Sequence, residues 1–324
     1  MKEVDLWIFI YNKLNRNIKV NLLIVADSSL SSPGKSGFKM AISEDVETYG
    51  TIGGGIMEFD ILNEIRGTLD QPEPVNFIRK LHHSKTKEGH TSGLICGGTQ
   101  TLIVQTMTIQ ERDLVKKIID NLEDQSSGVL RLNPFGLDYT PNKENERDIN
   151  LFFEDEQNWQ YEENIGLLNT VYVIGGGHVG LAVSRAMSNL DFYVVTFDQR
   201  DDIITMKQNT FSDKKIITKF EEVNKFIRES KKSYAVIVTP NHDGDKEALK
   251  SIIGMNLKYI GLMGSSKKSD SIFKHLTDEG INPELFKKVH TPIGIDINAE
   301  SPEEIAISIS AEIIKIKNQM LFNS

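Results

Sequence analysis

Val171-Tyr-Val-Ile-Gly175-Gly-Gly177-His178-Val-Gly180 carries the spacing G-x-G-x-x-G directly after a short apolar run. In this spacing the first glycine permits a tight turn, the second lets the backbone approach a pyrophosphate, and the third lets a helix pack on the sheet. The N–H groups at the start of that helix offer partial positive charge to an anion. The stretch therefore predicts a Rossmann-type unit, with Gly175, Gly177, His178 and Gly180 in a nucleotide site.

A second apolar strand ends at Asp198 in the sequence VVTFD. In dinucleotide-binding units an acidic residue at this place accepts hydrogen bonds from a ribose 2′-OH, so we expect Asp198 to contact a ribose. The sequence leaves an alternative open, in which the glycines only allow close packing and no nucleotide binds.

The second half of the chain alternates short strands with helix-length segments. The strands are expected at 171–174, 192–197, 234–238 and 258–262. This alternation predicts an α/β domain, a doubly wound parallel sheet with helices on both faces, over residues 169–324.

The first half has a different pattern and predicts a separate α+β domain over residues 1–140. An amphipathic helix, a buried strand at Val20–Val25, two strands around an acidic turn and a helix after Gly55 follow one another, and the stripe of that last helix includes Phe59. Residues 141–168 are acidic and rich in Asn and Gln, which favours a solvated linker with a short aromatic hairpin inside it.

The overall composition excludes several classes of protein. The chain has 324 residues, a formal charge of −9 and one cysteine. An acidic chain is a poor nucleic-acid partner, and a single cysteine forms no internal disulfide. Because the sequence holds no run of about 18 apolar residues, we expect no membrane segment and a cytoplasmic location.

Thr51-Ile-Gly53-Gly54-Gly55 is a second glycine-rich turn between a strand and a helix. Successive N–H groups in such a loop suit a phosphate or a planar ring rich in carbonyl groups. Glu58, one turn into the helix, is placed to accept N–H bonds from a heterocycle. It would equally serve as a first-turn carboxylate that stabilises the helix N-terminus.

Cys96 precedes Gly97 and Gly98, which leave its sulfur approachable. A thiolate is a soft metal ligand, although a free cysteine is more often a small buried apolar residue. Histidines lie nearby in the sequence, at positions 82, 83 and 90, but without a recognised metal-binding spacing.

Two further turns in the second domain are candidates for ligand contacts. Gly264 and Ser265 follow a strand and would hold an anion or simply cap a helix. His242 and Asp245 follow another strand, at the sheet edge where open α/β sheets bind ligands, and are equally compatible with an Asx turn and a helix cap.

Motifs spread over nearly the whole chain resemble those of the XdhC/CoxI family, the accessory factors of xanthine dehydrogenase and related molybdenum hydroxylases. The matching stretches are SSPGKSGFKM (31–40), GTIGGGIMEFD (50–60), GLICGG (93–98), VIGGGHVG (173–180), YIGLMGSSKK (259–268), PIGIDI (292–297) and SPEEIAISISAEI (301–313).

The resemblance implies a chaperone without turnover of its own, which binds molybdenum cofactor, protects it during sulfuration and helps insert it into the hydroxylase apoenzyme. A cysteine desulfurase is a candidate sulfur donor. The resemblance makes Cys96 the molybdenum or sulfur contact. The residues that it assigns to the cofactor cradle are Gly53, Gly54, Gly55, Glu58, Gly97 and Gly98, and those it assigns to the second domain's site are Gly175, Gly177, His178 and Gly180.

The chain departs from the family pattern at two places. Leu30-Ser-Ser-Pro33-Gly34 lacks the arginine that usually follows the proline, so Lys35 or Lys39 would have to replace a bidentate phosphate partner. Thr239-Pro-Asn-His242 keeps one histidine where two are common.

Two other functions compete with the carrier. One is an NAD(P)-dependent oxidoreductase in which His178 or His242 donates the proton, and the other is a dinucleotide-sensing regulator. A homodimer is compatible with the sequence, which does not fix the oligomeric state.

Overall fold

The computed structural model describes residues 3–29, 32–71, 73–83, 98–124, 126–166 and 168–318. The chain forms two compact units, Met1–Leu167 and Leu168–Ser324. Each has its own sheet structure and apolar core. The expected fold class is confirmed, because the second unit holds a parallel sheet flanked by helices and the first mixes helices with antiparallel strands.

The first unit is built on a five-stranded antiparallel sheet. Its strands are β1 (Val20–Ser28), β2 (Lys39–Ser43), β3 (Thr48–Gly50), β4 (Asn76–His83) and β5 (Gly98–Met107). They lie in the order β3-β2-β1-β5-β4, so the long strands β1 and β5 pair at the centre. This arrangement brings the loop after β1, the loop after β3 and the start of β5 to the same part of the sheet.

Helices cover both faces of this sheet. They are α1 (Glu3–Asn15), α2 (Gly55–Leu69) and α3 (Arg112–Glu123), and a 3-10 turn at Ile109–Glu111 precedes α3 with the capping box expected from Thr108. Helices α1 and α3 share one core with alternate residues of β1, whereas α2 packs on the opposite face through Ile61 and Ile65.

Phe59 does not belong to the buried stripe of α2 and is 64% exposed. The buried positions Ile61, Ile65 and Leu69 recur every four residues. At about 100° per residue, Phe59 therefore lies on the far side of the helix from Ile61.

A second, four-stranded antiparallel sheet occupies the region where we expected a linker. Its strands are β6 (Gly128–Asn133), β7 (Gly136–Pro141), β8 (Ile149–Asp155) and β9 (Asn158–Ile165), in the order β7-β6-β9-β8. Residues 141–168 thus contribute a hairpin that pairs with β6 inside the first unit. Trp159 and Tyr161 of β9 are buried, while most of the acidic residues that suggested a linker are exposed in the loop before β8, at the end of β8 and in the turn that follows it.

The second unit contains a six-stranded parallel sheet. Its strands are β10 (Thr170–Ile174), β11 (Tyr193–Asp198), β12 (Lys214–Ile217), β13 (Ser230–Ile237), β14 (Leu257–Leu262) and β15 (Val289–His290). The strand order is β12-β11-β10-β13-β14-β15. After β10 the chain adds β11 and β12 on one side and then β13 to β15 on the other, and open α/β sheets form their ligand crevice at such a switch point.

Helices lie on both faces of the parallel sheet, as expected. They are α4 (His178–Asn189), α5 (Ile204–Gln208), α6 (His242–Ile252), α7 (Ser266–Asp278) and α8 (Pro302–Asn318), with 3-10 turns at Phe220–Phe226 and Pro283–Lys288. Helices α4 and α8 share one core with Val171 and Val173, and α6 and α7 share the other with Tyr172 and Ile174.

A buried ion cluster joins the two sheets of the first unit. The Lys39 ammonium lies 2.6 Å from Glu163 Oε1 and 2.9 Å from Glu3 Oε1, and the Tyr161 hydroxyl donates to Glu163 Oε2 at 2.9 Å. Burial lowers the pKa of Lys39, but the two carboxylates outweigh it and raise the pKa above its usual value. The lysine therefore stays charged and holds β2, β9 and α1 together.

We expect Lys39→Met to destabilise the first unit by about 3 kcal/mol, because it leaves buried carboxylates without their counter-ion. Both tryptophans of the chain, Trp7 and Trp159, are buried in this unit, so tryptophan fluorescence during urea unfolding reports on it alone. The exposed Lys35→Met is the control and should unfold like the wild type. Equal unfolding midpoints for the two variants would show that the cluster is not stabilising.

Candidate ligand-binding sites

The glycine turn of the first unit is closed by its own carboxylate. Glu58 Oε2 accepts hydrogen bonds from Thr51 Oγ1 at 2.6 Å, Ile52 N at 2.9 Å and Gly54 N at 3.0 Å. Gly53 N donates to Thr51 Oγ1 at 3.1 Å. Three of the N–H groups expected to hold a phosphate are therefore engaged in this conformation, and an anion would meet the charge of Glu58. Glu58 serves here as the stabilising carboxylate of the helix start.

Two loops approach each other backbone to backbone beside this turn. A Cβ on Gly34 would lie 1.9 Å from the carbonyl oxygen of Ile52, and one on Gly53 would lie 2.5 Å from the amide nitrogen of Gly34. Gly53 also has a φ of +131°, which side chains disfavour. Gly54 faces open space at its Cβ position, so its φ of +73° rather than close packing favours glycine there.

Two buried polar side chains next to these loops each have one atom without a hydrogen-bond partner among the described residues. Gln100 is 1% exposed, and its Nε2 donates to Ile52 O at 2.8 Å, while its Oε1 accepts nothing. Ser32 is 3% exposed, and its Oγ is likewise unpartnered. Neither residue was predicted from the sequence. Gln100 lies in the polar start of β5, Thr99-Gln-Thr101, directly before the apolar run Leu102-Ile-Val104.

The remaining predicted residues of this site are only partly covered. Gly98 begins β5 opposite His83, whereas Cys96 and Gly97 lie outside the described residues, as does His90. Within the described part of the chain no group of three or more His, Cys, Asp or Glu side chains is placed to hold a metal ion. The metal role of Cys96 stays a prediction.

Lys39 does not replace the missing arginine of the first loop. It is buried and paired with Glu163 and Glu3, so it is not available to a phosphate. Lys35 is the exposed lysine of this loop.

In the second unit the glycine turn has the geometry expected from its spacing. A Cβ on Gly175 would lie 2.3 Å from Val238 O, and one on Gly180 would lie 1.9 Å from Gly175 O. Gly177 is the N-cap of α4, and a Cβ there would have no neighbour within 4 Å. Gly175 and Gly180 therefore serve packing, and Gly177 is the position where a ligand has room to approach.

Asp198 lies beside this turn but is turned inward. Its carboxylate is fully buried and accepts hydrogen bonds from Gly176 N at 2.8 Å, from Arg200 N at 3.0 Å and from the Arg200 guanidinium at 2.9 Å through both oxygens. Burial raises the pKa of Asp198, but the Arg200 and Gly176 hydrogen bonds outweigh it, so the pKa lies below its ordinary value. In this conformation Asp198 fixes the turn, and a ribose hydroxyl has no access to it.

The two histidines expected near a ligand occupy the first positions of their helices. His178 begins α4 and is exposed, and His242 begins α6 with its ring 6.2 Å from the ring of His275 in an edge-to-face contact. Neither makes an ion pair with a described carboxylate. The carboxylate partner that a hydride-transfer enzyme would use to orient its acid is therefore not among the described contacts.

The residues of the other predicted turns of this unit cap a helix or form buried hydrogen bonds and ion pairs. Ser265 Oγ caps α7 by accepting from Lys268 N at 3.4 Å, and Gly264 lies against the Lys268 side chain. Asp245 is fully buried between the Lys268 ammonium and Thr239, whose Oγ1 donates to it at 2.6 Å. The capping alternative left open by the sequence describes Ser265, whereas the cap of α6 is Asn241, which accepts from Gly244 N, and not Asp245.

An open cleft of about 280 Å³ lies at the carboxyl edge of the parallel sheet. Its walls come from the end of β11, the 3-10 turn after β12 and the start of α6, through Gln199, Phe220, Asn241 and Gly244. This edge is the expected binding place for the fold, and the turn around His242 and Asp245 was expected here, whereas Gln199 and Phe220 were not.

Two family models match the chain, the XdhC and CoxI family over residues 14–80 and the XdhC Rossmann domain over residues 171–313. The chain therefore belongs to the XdhC and CoxI family.

The sequence identity to individual relatives is low. The chain is 24% identical over 303 residues to a Bacillus subtilis (strain 168) protein whose name describes it as a probable subunit of xanthine dehydrogenase, covering 88% of this chain and 89% of the relative. It is 23% identical over 298 residues to the uncharacterized protein YqeB of Escherichia coli (strain K12), which covers 91% of this chain, but the chain spans only 43% of that relative.

A solved structure shares the fold. A crystal structure of a xanthine dehydrogenase from Bacillus halodurans superposes with a TM-score of 0.74 at 20% identity, covering 98% of this chain and 96% of the other. Among the helices that the structure describes, none combines the length and apolar character needed to cross a membrane.

The second glycine turn gives a matched pair of substitutions. Gly180→Ala should destabilise the second unit by about 2 kcal/mol because its Cβ collides with Gly175 O. Gly177→Ser should leave stability unchanged, since the position is open and serine is a good N-cap, but should weaken NADH binding if a nucleotide occupies the turn. Circular dichroism during thermal unfolding and an NADH titration measure the two effects. A stable Gly180→Ala variant would contradict the packing role.

Asp198→Asn should lower the stability of the second unit by about 2 kcal/mol at neutral pH, because it weakens the charge-assisted bonds to Arg200. The pKa of Asp198 is lower in the folded protein than its unfolded value of 3.8. The stability that its carboxylate contributes is therefore present above pH 3.8 and is lost as the pH falls through the folded-state pKa. The stability difference between variant and wild type should therefore shrink below about pH 4. The exposed Asp270→Asn is the control, and a difference that persists at low pH would refute the assignment.

Proposed function

We propose that the chain is an accessory factor of a xanthine dehydrogenase-type molybdenum hydroxylase and that it carries molybdenum cofactor as cargo in its first unit. Family membership and the name of the B. subtilis relative support the link to xanthine dehydrogenase. The observation that carries the binding proposal is the pair of unpartnered polar atoms, Gln100 Oε1 and Ser32 Oγ, beside two glycine loops.

The chemistry of these loops fits one end of the cargo. Molybdopterin has an anionic phosphate, a dithiolene that holds the metal, and a pterin edge of uncharged donors and acceptors. Gln100 Oε1 and Ser32 Oγ are neutral atoms that lack a described partner, so each can take a hydrogen bond without adding charge. The N–H groups of the glycine turn already donate to the Glu58 carboxylate. The uncharged pterin edge therefore suits these loops better than the anionic phosphate does.

Release of the cargo follows from the same features. The site offers hydrogen bonds and close backbone contact, and no described cluster of ligands encloses a metal. A carrier that holds its cargo through one thiolate and a few hydrogen bonds gives it up to an acceptor with more contacts. We assign that thiolate to Cys96, with the hydroxylase apoenzyme as acceptor and a cysteine desulfurase as source of the terminal sulfur.

A second ligand, a dinucleotide bound by the second unit, is favoured by one observation. Gly177 is open at the N-terminus of α4, where backbone N–H groups favour a phosphate. Dinucleotide binding there would make the second unit a sensor of the carrier's state, with the ribose held by groups other than the buried Asp198.

Protein purified from a molybdenum-replete host with intact cofactor biosynthesis should contain molybdenum and pterin in equal amounts. Cys96→Ser should lower the molybdenum content at least about tenfold, because a hydroxyl is a poor ligand for a soft metal site. Elemental analysis and pterin fluorescence after oxidation measure both.

Gly177→Ser is the matched control, since it alters the second unit and should leave the molybdenum content unchanged. Wild-type protein without molybdenum and pterin would refute the carrier. Full molybdenum retention by Cys96→Ser would refute the thiolate contact alone.

A further inference from the structure

The open cleft of the second unit is formed by loops that follow three different strands. Gln199 comes directly after β11, Phe220 lies in the 3-10 turn after β12, and Asn241 lies between β13 and α6. Thr218 N donates to Asp198 O at 3.0 Å, which holds the first two of these loops side by side. The cleft therefore lies at the carboxyl edge of the parallel sheet, where open α/β folds bind their ligands.

The glycine turn after β10 contacts both walls of this cleft. Gly176 N donates to the Asp198 carboxylate at 2.8 Å, at the end of β11. A Cβ on Gly175 would lie 2.9 Å from the amide nitrogen of Thr239, in the loop after β13. A ligand that places a phosphate at Gly177 therefore has the cleft beside its next group.

The size and the walls of the cleft suit one end of a dinucleotide. Pockets that hold a whole ligand measure roughly 300–1,000 Å³, whereas this cleft measures about 280 Å³. Phe220, which is 2% exposed, supplies a rigid aromatic wall, and Asn241 supplies a side-chain amide. The Asn241 Nδ2 is a donor that suits the acceptor nitrogens of a purine ring.

The rim of the cleft is negatively charged. Glu221, Asp243 and Glu247 supply three carboxylates. Lys219 is the one cation among the described residues that line the cleft, and its Nζ lies 3.6 Å from Glu221 Oε1. One positive and three negative charges give the lining a net charge of −2. A neutral group enters this cleft more easily than an anionic one does.

Arg200, which follows the end of β11, does not offset this charge. In dinucleotide-binding folds an arginine near this place accommodates the 2′-phosphate of NADP. Here the guanidinium donates at 2.9 Å to both carboxylate oxygens of Asp198. Because that carboxylate is fully buried, a phosphate that drew Arg200 away would leave an unpaired buried charge.

From this arrangement we infer that the cleft takes the adenosine end of a dinucleotide and that its rim selects NAD(H) over NADP(H). A neutral adenosine meets an aromatic wall and an amide donor. A 2′-phosphate would add about −1.5 to −2 of charge next to the carboxylates of the rim. The inference rests on the second ligand of the proposed function and names the dinucleotide that the second unit senses.

The test is a titration of the whole chain with NADH and with NADPH, followed by the fluorescence of the reduced nicotinamide. At about 0.01 M salt the wild type should bind NADH at least about tenfold more tightly than NADPH. The Debye length falls from about 30 Å at this salt concentration to about 3 Å at 1 M. The ratio of the two affinities should therefore shrink at high salt.

Two exposed carboxylates of the rim allow its charge to be removed without disturbing the core. Glu221→Gln combined with Asp243→Asn should bring the ratio below about threefold, because NADPH binding strengthens while NADH binding stays near the wild-type value. The matched control is Glu284→Gln combined with Asp278→Asn. It changes the net charge equally, at exposed positions at the end of α7 and in the turn after it, near the opposite edge of the sheet. The control should keep the wild-type ratio.

The possible outcomes separate the inference from the proposals on which it rests. Equal affinity for the two dinucleotides, or tighter binding of NADPH, would overturn the selection and keep dinucleotide binding by the second unit. An unchanged ratio in the rim variant, or the same change in the control, would overturn the assignment to this cleft. If neither dinucleotide binds, the inference and the second ligand are both rejected, while the molybdenum and pterin content of the purified protein tests the carrier separately.

Discussion

The close approach of two backbone segments, one at Gly34 and the other at Ile52-Gly53, is the constraint on which the candidate site of the first unit depends. No side chain fits between them, and Gln100 Nε2 donates to the Ile52 carbonyl at 2.8 Å. This contact fixes the glutamine amide and leaves its oxygen buried without a partner among the described residues. The strand order, which brings the loops after β1 and β3 to the start of β5, makes the contact possible.

Both glycine-rich turns bring backbone segments into close contact, but they differ in the charge that they present to a ligand. The turn at Gly53 directs its N–H groups to the carboxylate of Glu58, so an incoming group there meets negative charge. In the turn at Gly177, Gly176 N donates to the buried carboxylate of Asp198, and the start of α4 at Gly177 stays open. The first turn therefore suits an uncharged ring edge and the second suits a phosphate. This difference supports separate ligands for the two units of one XdhC and CoxI family chain.

Periodicity and spacing were sufficient for much of the fold. The alternation of strands and helices predicted the parallel sheet, and Gly175 and Gly180 take the packing roles that their spacing indicates. The 141–168 segment was misleading because most of its acidic residues are exposed in the loop before β8 and around the β8–β9 turn, while β9 between them buries Trp159 and Tyr161. Local sequence also could not show that the carboxylates of Asp198 and Glu58 bind backbone N–H groups of their own glycine turns. Gln100 and Ser32 belong to no motif, since their unpartnered state arises only from contacts between distant segments.

Hydrogen exchange of the backbone amides, compared between cofactor-loaded and cofactor-free protein, tests the central claim most directly. If the first unit holds the cofactor against the outside of these loops, loading should slow exchange in residues 52–55 and 98–100 and leave residues 175–180 unchanged. Slowed exchange confined to 175–180, or none in either turn, would contradict a cofactor site in the first unit.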